Sequence, residues 1–198
     1  MFSRCLSDDH NRSQSNWSDA VVPGANNSAV IPPGLTANLV TDQAVKRITM
    51  SRRAKINLGG KTLTVTGNFH NNGGTFDSTG VVKFSGAGVD QTYTGNVPLK
   101  IPNVEIDNPG KSFGLNGPLQ VPGLVKIAAN TNLNSNGNLT LLATATSNAN
   151  IGPLLSGARI TGDVDIQSYF TGGSASYRRY RFASSPINDG VANSLNKK

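Results

Sequence analysis

The stretch LTVTGNFHNNGGTFDSTGVVKFSG (residues 63–86) decides how the chain is read. Two short runs of alternating β-formers, Leu63-Thr64-Val65 and Val82-Lys83-Phe84, flank a connector rich in Gly, Asn and Asp. Apolar–polar–apolar alternation is the period-two pattern of a half-buried strand, and the connector residues are turn formers. The motif recurs as Ile48-Thr49-Met50, Val104-Glu105-Ile106, Val125-Lys126-Ile127, Leu139-Thr140-Leu141 and Val164-Asp165-Ile166. The triplets end at residues 50, 65, 84, 106, 127, 141 and 166. Their steps therefore run from 14 (127 to 141) to 25 (141 to 166), a period of about 20 that marks a repeat array.

Two architectures fit short strands in series. A meander joins antiparallel neighbours through hairpins of two to five residues. Here the gaps are longer than that and hold further β-prone segments, such as Lys55-Ile56-Asn57-Leu58 and Gln91-Thr92-Tyr93-Thr94. A right-handed parallel β-helix (β-solenoid) explains both features, with about eight coils stacked at ~4.8 Å to give a rod on the order of 40 Å. All-β is the expected fold class. In the simplest register the central residues Thr49, Thr64, Lys83, Glu105, Lys126, Thr140 and Asp165 form one outward column, with Lys83, Glu105 and Lys126 on adjacent rungs. Met50, Val65, Phe84, Ile106, Ile127, Leu141 and Ile166 then form the inward column. The alternating run Asn130, Asn132, Asn134, Asn136 and Asn138 suits turns whose amides hydrogen-bond along the solenoid axis.

Composition agrees with a folded, strand-rich chain. Of 198 residues 36% are hydrophobic and only 15% charged, which argues against a disordered, solvating chain. Glu occurs once, at Glu105, where a helical bundle would carry many. The net charge is +7, and basic residues gather in two places, Lys46, Arg47, Arg52, Arg53, Lys55 and Lys61, then Arg178, Arg179 and Arg181. A nucleic-acid reader mixes such residues with exposed aromatics or a recognisable motif, and few aromatics lie near the first cluster, so no nucleic-acid partner is expected. No apolar run approaches the ~20 residues of a bilayer span. Cys5 is the single cysteine, so no internal disulfide forms, and nothing at the N-terminus reads as a signal peptide.

Along the chain, residues 1–16 are polar and aperiodic and are expected to be disordered or poorly packed. Residues 17–44 read as a proline-containing irregular N-terminal cap and first coil, because proline bars interior strand pairing. Trp17 is suited to covering the open end of the core. Residues 45–170 form the β-solenoid, and residues 171–198 a junction to a following module.

Asn16-Trp17-Ser18, Val22-Pro23, Val30-Ile31-Pro32 and Thr62-Leu63-Thr64-Val65-Thr66-Gly67-Asn68-Phe69, followed by Asn72-Gly73 and Gly74-Thr75-Phe76, resemble large repetitive cell-surface proteins of Bacteroidetes. Ile160-Thr161-Gly162-Asp163-Val164-Asp165-Ile166 and Tyr177-Arg178-Arg179-Tyr180-Arg181-Phe182-Ala183-Ser184-Ser185-Pro186-Ile187 resemble the same family's junction, except that Ser168 stands where Arg is usual. The resemblance covers roughly residues 16 to 190. It implies an extracellular solenoid within a longer type IX secreted chain, here a fragment that lacks the sorting domain, and it implies following modules of that parent chain as partners.

Candidate sites are few. Asp163 with Asp165, and Glu105 with Asp107, have the i, i+2 spacing that puts two carboxylates on one strand face. Paired carboxylates can hydrolyse glycosides only if they straddle a bond in a cleft, and solvated strand faces are the reading preferred for them. His10, His70 and Cys5 give no zinc constellation, and Gly86-Ala87-Gly88-Val89-Asp90 resembles a calcium-binding nonapeptide in one copy only. No catalytic residue, metal or cofactor is therefore expected. Tyr177, Arg178, Arg179, Tyr180 and Arg181 are the candidate ligand-binding residues, since aromatic faces and guanidinium forks suit a surface polysaccharide or another cell-surface protein; docking onto the next module is the plainer use. The expected function is a non-enzymatic extracellular scaffold, stalk or adhesive segment. A carbohydrate-active β-helix on anionic glycans is the alternative, and a phage-type fibre segment a third.

Overall fold

The computed structural model describes residues 2–4, 17, 22–76, 79–86 and 88–169. Strand β1 (Phe2–Arg4) pairs in parallel with β2 (Ser28–Ile31). From β2 the chain winds through β3 (Thr36–Asn38) and β4 (Gln43–Val45), then β5 (Arg47–Met50), β6 (Lys55–Asn57) and β7 (Thr62–Val65). The next turns are β8 (Phe69–Asn71), β9 (Thr75–Phe76) and β10 (Val81–Phe84), then β11 (Gln91–Gly95), β12 (Leu99–Lys100) and β13 (Val104–Ile106). They continue through β14 (Ser112–Asn116), β15 (Leu119–Val121) and β16 (Leu124–Ile127) to β17 (Asn132–Asn134), β18 (Leu139–Leu141) and β19 (Asn150–Ile151). The described part ends with β20 (Arg159–Thr161) and β21 (Val164–Ile166).

Every strand pairs in parallel with its equivalent one turn away, so the described chain is a three-faced β-solenoid. The first face is an eight-stranded sheet in the order β1-β2-β5-β8-β11-β14-β17-β20. The second is the six-stranded sheet from β4 to β19. The third is made of β3-β6-β9 followed by β12-β15-β18-β21, with β9 abutting β12 without a ladder between them. Six strands on the second face correspond to about five turns from first to last, not the eight coils expected. At ~4.8 Å per turn those strands span roughly 24 Å. The first face alone stacks eight strands, so the eight-coil expectation exceeds only the number of turns that carry all three faces; triplets from different faces do not form one series of rungs.

The single outward column is corrected in the same way. Thr64, Lys83, Glu105 and Lys126 do stack on the second face. Thr49 belongs to the first face, beside His70, and Thr140 pairs with Asp165 on the third. Phe2–Arg4 is a paired strand within residues 1–16, and the strands stack from Ser28, inside the stretch 17–44 read as entry cap and first coil.

The core is the inside of the three faces. Leu63, Val82, Val104 and Val125 stack on the second, and Leu99, Leu119 and Leu139 on the third, all buried. In the middle turns the filling is aromatic: Phe69 meets Tyr93 edge-on at 5.6 Å, and Phe84 lies 4.3 Å from Phe113. Such pairs add about 0.5–1.5 kcal/mol beyond the area they bury. Trp17 is buried at one end, over a small apolar cavity of about 30 Å³ lined by Pro23, Ala29, Ile31, Leu39 and Ile48 among others. Where a corner brings two turns very close, both are glycine: a Cβ on Gly117 would collide with the backbone of Gly95, one turn away.

Candidate functional site

The Asn run does what its spacing suggested. Asn136 donates from Nδ2 to Leu115 O at 3.2 Å and to Asn116 Oδ1 at 3.1 Å, and Asn138 donates to Leu115 O at 2.9 Å. Asn132 Nδ2 reaches Ser112 Oγ at 3.3 Å. On the third face Asn57 donates to Asn38 Oδ1 at 3.1 Å. These amides tie successive turns together.

The acidic pairs fall on different faces. Glu105 and Asp107 lie on the second and converge on one ammonium: Lys83 Nζ stands 2.9 Å from Glu105 Oε1 and 2.7 Å from Asp107 Oδ2. The bonds to Asp107 and then Glu105 raise the Lys83 pKa above 10.5, against the opposing effect of burial. Lys83 is therefore a cation across the neutral range, with both carboxylates committed to it. Lys126, the next rung, carries no ion pair among the described residues. Asp163 and Asp165 are exposed on the last described turn, at the third face.

His70 is exposed and its Nδ1 lies 2.7 Å from Thr94 Oγ1 on the first face. Among the described residues no group of three or more His, Cys, Asp or Glu side chains could hold a metal ion. The basic residues that cluster in sequence spread around the solenoid: Arg47 opens a strand of the first face, Arg52 and Arg53 sit in a turn, and Lys55 opens a strand of the third. Tyr177, Arg178, Arg179, Tyr180 and Arg181 lie outside the described residues.

A site that the sequence reading missed lies at the corner leading into the first face. Here three residues from each of four successive turns stack: Gly88-Val89-Asp90, Gly110-Lys111-Ser112, Asn130-Thr131-Asn132 and Gly157-Ala158-Arg159. Each triplet begins with a residue in the left-handed region, at φ 86° for Gly88, 73° for Gly110, 56° for Asn130 and 70° for Gly157. Glycine and asparagine are the residues that adopt this conformation at least cost. Turning the chain there aims the third residue of each triplet outward, and Asp90, Lys111, Ser112, Asn130, Asn132 and Arg159 line a polar groove of about 320 Å³.

The groove is rigidly built. Gly110 N donates to Asn130 O at 2.7 Å and Asn130 N to Ser156 O at 2.9 Å, so consecutive corners are bonded to each other. Ser112 N donates to Asp90 Oδ1 at 2.8 Å. Behind them Asn108, wholly buried, donates from Nδ2 to Val89 O at 2.9 Å, while its backbone N donates to Thr131 Oγ1 at 3.1 Å. Neither Lys111 nor Arg159 has an ion-pair partner among the described residues. The signal was present in the sequence as Gly/Asn-x-polar at the start of the first-face strands β11, β14, β17 and β20, but its unequal steps (88 to 110, 110 to 130, 130 to 157) concealed it. No protein-family model, curated protein or solved structure matches the chain, so the reading of its role rests on the solenoid and the surfaces it displays.

Proposed function

We propose that the chain is an extracellular segment of a bacterial surface protein and works as a non-enzymatic scaffold or adhesive stalk. The observation that carries this reading is the parallel stacking itself: each turn repeats the last, buries its apolar residues inward and displays short polar side chains on three faces. Such a body places binding groups at fixed intervals along one axis, which is what a surface scaffold needs. The resemblance of the Trp17 region and the residue 62–76 coil to Bacteroidetes surface proteins supports the bacterial and extracellular parts of the reading, with other modules of a longer chain and surface polysaccharides as its partners.

One observation favours the carbohydrate-active alternative, since Lys83, Glu105 and Asp107 gather on one face. Their chemistry weighs against it. A lyase base must be neutral to abstract a proton, whereas Lys83 is held protonated by its two carboxylates. The test is to incubate the purified chain with anionic and neutral glycans and to measure both retention and product. Retention of a glycan with no release of reducing or unsaturated ends is expected. Product formation abolished by Glu105→Gln or Asp165→Ala would overturn the non-enzymatic reading. Neither retention nor release would select a plain stalk over an adhesive one.

A further inference from the structure

The polar groove at the first-face corner has the features of a subsite for one chemical class of ligand. Its lining carries two cations, Lys111 and Arg159, both exposed and without ion-pair partners among the described residues. It carries three neutral hydrogen-bonding side chains, Ser112, Asn130 and Asn132, and one carboxylate, Asp90. No aromatic or aliphatic side chain lines it, so it does not suit an apolar ligand; at about 320 Å³ it is at the small end of the range for ligand clefts. The backbone N–H groups of Gly110, Lys111, Ser112, Asn130, Asn132 and Arg159 are already bonded within the solenoid, so recognition falls mainly to the side chains.

The charges are ordered along the axis. Asp90, Ser112, Asn132 and Arg159 occupy successive rungs, which puts Asp90 and Arg159 at opposite ends of the groove, roughly 14 Å apart along the stack. Asp90 is held in place by Ser112 N and keeps its other oxygen for an incoming hydroxyl. Arg159 offers a planar fork that matches a carboxylate or sulfate, and Lys111 a mobile point charge between the ends.

We propose that this groove binds a short stretch of an acidic polysaccharide lying along the solenoid axis, with a carboxylate or sulfate on Arg159, Lys111 adding attraction, and the hydroxyls of neighbouring sugar units on Asn130, Asn132, Ser112 and Asp90. The inference rests on the adhesive form of the function proposed above and gives it a location and a ligand class. Asp90 supplies direction, because it repels an acidic group placed at its own end and so favours the Arg159 end.

The experiment is equilibrium binding of the full chain to a polyuronate, a sulfated glycan, a neutral glucan of similar length and inorganic sulfate alone. Arg159→Ala, Lys111→Ala and Asp90→Asn are measured beside Lys100→Ala and Lys126→Ala, which remove one positive charge from the third and second faces. Circular dichroism checks that each variant keeps the parent fold. The parent should bind at least one acidic polymer and not the glucan, and the stronger of the two acidic polymers identifies the anion. Arg159→Ala should weaken that binding by about 10- to 100-fold, the range for losing a charge-assisted hydrogen bond. Lys111→Ala should weaken it less, and Asp90→Asn should strengthen binding to the more highly charged polymer. Equal losses in Lys100→Ala and Lys126→Ala would mean diffuse attraction to a basic protein and would overturn the groove while leaving an adhesive scaffold standing. Sulfate binding as tight as the polymer, or no binding of any acidic polymer, would overturn the groove as well. Product release with binding still lost in Arg159→Ala would instead sink the non-enzymatic reading and keep the groove.

Discussion

Tyr93 shows how position along the solenoid sets the chemistry of one side chain. It is wholly buried between Phe69 and the next turn, and its hydroxyl donates to Pro118 O at 3.5 Å. Burial pushes its pKa from 10 up to about 12, with the Asn71 side chain pulling the other way. The unfolded chain releases this proton near pH 10 and the folded one only near 12, so between those values the unfolded state binds fewer protons. Tyr93 therefore contributes fully below pH 10, and stability falls as pH rises through 10 to 12. In a titration of tyrosinate absorbance, one of the four tyrosines should ionise near pH 12. Tyr93→Phe should delete that phase and flatten the alkaline fall in melting temperature. An unchanged titration would show that the ring is not sealed in the core.

At the scale of elements, β10 and β13 are joined by a backbone ladder and by the Lys83 fork. Lys83, Glu105 and Asp107 all remain about a third exposed, so each bond is worth only ~0.2–1 kcal/mol. What the fork contributes is register, since a one-residue slip would send Glu105 inward and an apolar neighbour out. Lys83→Met should lower stability by about 1 kcal/mol or less at neutral pH. Because the folded Lys83 pKa lies above 10.5, its contribution is present below that value and fades at higher pH; parent and variant should converge there in urea unfolding. A loss of several kcal/mol at pH 7 would mean that the fork holds the face together rather than aligning it.

For the whole molecule, stability resides in a core shared by all turns. Ile106 is buried at 1% exposure, between Phe84 and Ile127 on neighbouring rungs. Ile106→Asp places a charge where no partner exists, a change in the class that costs more than ~4 kcal/mol. It should abolish the cooperative thermal transition seen by circular dichroism; a variant that melts like the parent would refute the inward register of the second face. The two ends of the described core differ. Trp17 closes one, whereas Ile160 and Val164 are only part-buried at the other and Ile166 is 37% exposed.

Alternation within each triplet is local, and it determined by itself that the chain is built of short strands and which side of each faces the core; the stacking of Lys83, Glu105 and Lys126 on adjacent rungs needed, besides, that their triplets join one face. The Asn run was legible for the same reason, because turn residues reveal themselves by type. Which face a triplet joins is not local. It depends on how many residues each corner consumes, and residues 142–149, with their own Ala143–Asn148 bridge, lengthen one turn without leaving a strand signal. That is why Thr49, Thr140 and Asp165 do not share the face of Lys83 that their alternation suggests. The groove was hidden by the same cause. Asp90, Lys111, Asn132 and Arg159 belong to four different turns, and only the stacking of left-handed corners brings them into one wall.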